Sequence, residues 1–108
     1  MVNDFCITLA KLNSATANLR QIKIGNGQIY LTTASGTAFR LATVGTGKPT
    51  TAGQSVTSLP GLPTSVIGPY SFYLADLSVG VGGYDTLYLT DNAGGTITKY
   101  SLVSGTWT

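Results

Sequence analysis

Residues 85–108 read DTLYLTDNAGGTITKYSLVSGTWT, and the fold follows from this stretch. Positions 86–90 and 96–102 are rich in β-branched and aromatic residues, while Asp91-Asn92-Ala93-Gly94-Gly95 between them is turn chemistry. The pattern predicts a β-hairpin. A second hairpin in altered letters lies at 28–44. Working outward, strands are expected at 19–24, 28–33, 38–44, 54–59 and 70–77, with Gly25-Asn26-Gly27 as a tight turn and Ala34-Ser35-Gly36 as another. A short run, Phe5-Cys6-Ile7-Thr8-Leu9, predicts one more strand over 5–10. The segments 13–18 and 62–69 read as links, and 45–53 and 78–84 as Gly-rich loops. No window sustains a 3.6-residue period, so the chain reads as all-β with about eight strands.

The two hairpins belong to a longer correspondence. Leu9, Leu12, Ile22 and Ile24 match Leu59, Leu62, Phe72 and Leu74 at an offset of 50. Tyr30 and Leu31 match Tyr88 and Leu89 at 58, and Arg40, Leu41 and Val44 match Lys99, Tyr100 and Val103 at 59. Offsets that change only in loops are what a duplicated unit shows. The expected organisation is one domain over 1–108, built of two β repeats at about 5–53 and 54–108.

Composition narrows the setting. Of 108 residues, 43% are hydrophobic and only 9% charged, well under the ~25% of a typical soluble domain. So uncharged a surface is expected to be partly covered by another subunit. Six cationic residues are scattered along the chain and the net charge is +2, which predicts no nucleic-acid partner. No apolar run approaches the ~20 residues of a membrane helix, and no membrane partner is expected. The start, MVNDFCITLAKLN, has neither a basic lead nor a long apolar core and makes a poor signal peptide. The single Cys6 reads as a small buried hydrophobe.

Catalytic chemistry finds few residues to use. There is no histidine, which removes imidazole bases and ligands, and one cysteine builds no zinc site. The carboxylates are Asp4, Asp76, Asp85 and Asp91. Asp76 and Asp85 flank the long loop and are the pair a glycosidase would need to bring together. Their alternative roles are to end one strand and begin the next, as Asp91 shapes a turn. Asp91-Asn92 offers oxygen ligands but lacks the alternating acidic pattern of a calcium loop. The expectation is a non-enzyme with no catalytic residue, metal or cofactor.

Among six tyrosines, Tyr84 in the long loop is the one expected to be exposed. Trp107 fits either closure between the last and first strands or stacking on a sugar. By the offset of 59, Lys48 stands opposite it in the first copy, so no aromatic recurs there. That departure counts against a lectin; Tyr84, Trp107, Asp91 and Asn92 are the candidate ligand-binding residues.

The strands IYL at 29–31, LYL at 87–89 and FYLADL at 72–77 are apolar on both sides, which suggests sheets covered on both faces. Four-stranded sheets packed face to face around an axis make a β-propeller. The segment DTLYLTDNAGGTITKYSLVSGTWT resembles blades of bacterial β-propeller proteins, in which an LYVAD-type strand precedes a Gly turn and a KYSL strand. NGQIYLTTASGTAFRLATVG is similar but looser, with Thr33 in the place of Asp91.

That resemblance implies two four-stranded blades, a fraction of a ring that needs roughly four to eight. The ring would close by homo-oligomerisation, three copies being preferred, with the N-terminal strand completing a C-terminal blade that lacks its outer strand. A monomeric eight-stranded sandwich is the rival architecture. The implied role is a binding or scaffold module contacting a glycan or small ligand through 78–85 and 45–53. A lectin-like propeller and a fragment of a larger propeller gene are the alternatives. Related propellers are often secreted, but the residues themselves assign no compartment.

Overall fold

A computed structural model describes residues 9–34, 41–62 and 68–108. They form eight β-strands: β1 (Leu19–Gly25), β2 (Gln28–Thr33), β3 (Ala42–Val44), β4 (Val56–Ser58), β5 (Pro69–Ala75), β6 (Thr86–Asp91), β7 (Thr96–Val103) and β8 (Thr106–Trp107). No helix occurs among the described residues, and so none is long and apolar enough to cross a membrane. The strands make two four-stranded antiparallel sheets, ordered β1-β2-β3-β4 and β5-β6-β7-β8. The expected strand over 5–10 falls largely outside the described residues, as do Asp4, Cys6, Arg40, most of the turn at 34–36 and the first part of the strand at 38–44.

Each sheet begins with a hairpin. Asn26 and Gly27, at φ 49° and 72°, link β1 to β2, the conformation that a two-residue turn of matching twist requires. One correction concerns the C-terminus. The second sheet does not lack its fourth strand, because Ser104 (φ 51°) and Gly105 (φ 79°) turn the chain back and β8 pairs Trp107 with Leu102.

Register orders the side chains. In the first sheet, Ile22 faces Leu31 and Leu31 faces Ala42, Lys23 faces Tyr30 and Tyr30 faces Thr43, and Ile24 faces Ile29. In the second, Phe72–Leu89–Thr98, Tyr73–Tyr88–Lys99 and Leu74–Leu87–Tyr100 form the matching rows. The offsets of 50 and 58 hold for five of the six pairs of the first hairpin, and an irregularity follows Leu19↔Thr33 in one sheet and Pro69↔Asp91 in the other. The third strands do not match at 59. Tyr30 faces Thr43 and Tyr88 faces Lys99, so Thr43 corresponds to Lys99 at 56.

Cross-strand partners share a face, so each sheet has an aliphatic side and a side led by tyrosine. The aliphatic side of the second sheet packs onto the tyrosine side of the first. Leu41, Leu62, Phe72, Leu87, Leu89 and Trp107 form the buried centre, with Tyr30, Leu59 and Leu74 against it. The aliphatic side of the first sheet holds a separate cluster, Ile29, Leu31, Ala42 and Val44, partly covered by Leu12. The two sheets also meet through polar groups. The Phe72 N–H donates to Gln21 Oε1 (2.9 Å), and the Thr32 hydroxyl donates to the Tyr70 carbonyl (2.5 Å). Thr32 is fully buried, and its oxygen also accepts from the Gln21 N–H at 3.1 Å, so the group is satisfied.

Candidate functional site

The Gly-rich turn between β6 and β7 is built around one carboxylate. Asp91 Oδ1 accepts from the backbone N–H groups of Gly68 (3.0 Å), Ala93 (2.9 Å) and Gly94 (3.1 Å). An aspartate that bonds its own backbone two and three residues on stabilises a turn, which is the structural role its position suggested. The Asn92 N–H donates to the Gly68 carbonyl (2.7 Å), tying the turn to the start of β5. Beside it opens a cleft of 540 Å³ lined by Tyr70, Thr90, Asp91, Asn92, Gly95, Thr96 and Ile97. An exposed aromatic ring with a carboxylate, an amide and hydroxyls is chemistry suited to a hydroxyl-rich ligand. Arg20 lies over one side of the Tyr70 ring, 5.2 Å from its centre.

Tyr84 and Trp107 are not in this cleft. Trp107 is buried at 6% exposure in the core between the sheets, and its backbone N–H donates to the Pro60 carbonyl (2.9 Å). It closes the molecule and offers no face to a sugar. Tyr84 is half-buried against the same core, edge-on to Tyr30 at 6.2 Å, instead of standing out in solvent. Burial, then the neighbouring Tyr84, raises the Tyr30 hydroxyl above its ordinary value. The tyrosines that do stand out are Tyr73, Tyr70 and Tyr88. Strand alternation could have marked Tyr73, because its neighbours Phe72 and Leu74 must share the opposite face. Tyr70 lies within the β5 irregularity, where alternation gives no guide.

The long loop over 78–84 rests on a second carboxylate. Asp85 is buried, accepting from the N–H groups of Leu77 (3.1 Å to each oxygen) and Ser78 (2.8 Å) and from the Thr86 hydroxyl (2.7 Å). The Ser78 N–H does most to hold its pKa below the usual carboxylate value. The Thr86 hydroxyl, the Leu77 N–H and Asp76 add to this, and burial opposes it. A glycosidase acid needs the reverse shift. Asp76 is exposed beside it.

A folded-state pKa below the unfolded value of about 3.9 gives stability present above that pH and lost as pH falls through the folded value. Asp85→Asn is therefore expected to be less stable than the wild type at pH 7 and to show a flatter stability profile below about pH 4. Urea midpoints measured from pH 7 down to about pH 2 check this; parallel profiles would refute it.

The ends of the sheets divide the candidates. The loops at 45–55 and 76–85 lie at the same end as the Asn26-Gly27 turn. There Gln28 Oε1 accepts from the Gly47 N–H (2.8 Å), and Gly83 approaches Asn26. Asp91 and Asn92 lie at the opposite end. No group of three or more metal-ligating side chains exists among the described residues. No protein-family model matches the chain, nor does any curated protein or solved structure.

Proposed function

We propose that this chain is a non-enzymatic binding or scaffold module that self-assembles, contributing two blades to a β-propeller ring completed by further copies of itself. The observation that carries this reading is the stacking of two four-stranded sheets whose first strands, β1 and β5, are in contact and whose first hairpins share one internal register. Pairs at fixed offsets support a duplicated unit, and sheets stacked this way extend naturally into a ring. Three copies would give six sheets. β8 pairs only with the end of β7, so the remaining edge of β7 could accept the segment at 5–10 of a neighbour, hiding a strand edge that invites aggregation.

The test is a native mass measurement with sedimentation across protein concentrations. The expected result is a discrete multiple of the 11.2 kDa chain mass, with the trimer preferred. A lone 11.2 kDa particle at every concentration would refute self-assembly and leave the monomeric sandwich.

A second reading is a carbohydrate-binding, lectin-like propeller. The cleft bearing Tyr70 and Asn92 favours it, while the burial of Trp107 removes one proposed stacking ring. A glycan array decides whether that cleft takes a saccharide. Assembly without any binder would fit the third reading, a piece of a larger propeller gene.

A further inference from the structure

We infer that the aliphatic side of the first sheet is the docking surface for the tyrosine side of the second sheet of another copy, repeated head to tail. This deepens the self-assembly reading and rests on it.

The register equates the two sheets row by row. Ile22–Leu31–Ala42 corresponds to Phe72–Leu89–Thr98, and Lys23–Tyr30–Thr43 to Tyr73–Tyr88–Lys99. Within one chain, the contact joins a tyrosine side (first sheet) to an aliphatic side (second sheet). What remains open is one tyrosine side and the β1 margin of one aliphatic side, where Leu19, Ile22 and Ile24 are exposed beside the already buried Ile29, Leu31, Ala42 and Val44, the same combination. The two open faces are therefore complementary in the way the closed ones already are.

Exposure follows this division. Ile22 and Ile24 are 65% and 58% exposed, whereas their counterpart Phe72 is 5% exposed and Leu74 is half-buried. Tyr73 is 59% exposed, and Tyr88 and Ile97 stand out on the same side. Leu12 packs on the aliphatic cluster of the first sheet as Leu62, its counterpart in the second repeat, packs in the core between the sheets. A 140 Å³ apolar depression bounded by Leu12, Leu19, Ile22, Leu31, Val44 and Val56 lies on this face. Contiguous apolar patches of this kind mark interaction sites.

Charge complementarity extends the same pattern. Lys23 Nζ sits 5.0 Å from the centre of the Tyr73 ring, and Arg20 lies over Tyr70. Lys23 and Tyr73 occupy matching places in the two sheets, as do Arg20 and Tyr70. In a head-to-tail stack each ring therefore also meets the cation of the next copy, a contact that is favourable across an aromatic face. The contact is heterologous, because two different surfaces meet, so it closes a ring or propagates.

In the chain, Gln21 reaches the backbone of Phe72. The matching pair across copies is Ser71 of one and Ile22 of the next. In a Cys6→Ser background, a Ser71→Cys chain mixed with an Ile22→Cys chain should be joined by a short bismaleimide, and neither should be joined to itself. Cross-linking of Ile22→Cys chains to each other would mean that aliphatic faces pair symmetrically, and would overturn the inference.

Ile22→Glu and Tyr88→Glu give a second readout, since they place charge on faces exposed in the single chain. Each should weaken association by at least about tenfold, with β-sheet circular dichroism retained. Variants that assemble like the wild type would overturn this interface while leaving self-assembly intact. A wild type that never associates would overturn both.

Discussion

Trp107→Ala is expected to cost about 3–5 kcal/mol of folding stability, the range for removing a buried tryptophan. Its indole is 6% exposed and belongs to the cluster shared by Leu41, Leu62, Phe72, Leu87 and Leu89. Its backbone sits so close to Gly61, at φ 93°, that the connection between the sheets passes only because that residue has no side chain. Small domains hold only about 5–15 kcal/mol in total, so the loss takes a large share of the whole. Urea unfolding at fixed protein concentration should show a lower midpoint with unchanged slope. If Trp107 were instead a platform for a sugar, the midpoint would stay where it is and only ligand binding would fall. The same substitution therefore separates closure from recognition.

Leu87→Ala should destabilise by about 2–5 kcal/mol. Leu87 is fully buried on β6, between Leu74 on β5 and Tyr100 on β7. Strands hold it on both sides, so the sheet has little freedom to collapse into the space left behind, and the cost should lie toward the upper end. Leu77→Ala is the control, since Leu77 is 66% exposed, and it should stay within about 0.5 kcal/mol of the wild type. Equal midpoints for Leu87→Ala and Leu77→Ala would mean that the described core does not hold the fold.

The strands were legible because their signals are local. β-branched and aromatic runs bounded by Gly and Asn turns located β2 and β6 almost to the residue. β8 was missed because so short a strand carries no period. The Ser104-Gly105 turn was the available clue, since both residues adopt positive φ. The third-strand offset went astray for a related reason. Matching letters favoured Arg40 with Lys99, but hydrogen-bonded register, which letters do not encode, put Thr43 there.

The candidate site was legible only in part. Asp91 and Asn92 could be read as a turn, and they line the cleft. The exposure of Tyr84 and Trp107 could not be read, because it depends on how two sheets meet whose strands lie far apart in the chain. Tyr30 and Pro60, which receive them, carry no mark of that role in sequence. Asp85 is a similar case: a lone carboxylate between a loop and a strand gives no sign that backbone and hydroxyl donors converge on it.

The order in which the sheets are made has a consequence during synthesis. β4 completes the first sheet at Ser58, yet Trp107 stands almost at the end of the chain. At translation rates of about 5–20 residues per second, the finished first half waits roughly 2–10 s for the half that covers it. Until the second sheet arrives, the side of the first sheet that it will cover is wet, so the nascent polypeptide is most vulnerable to misassociation, and most in need of a chaperone, in that interval.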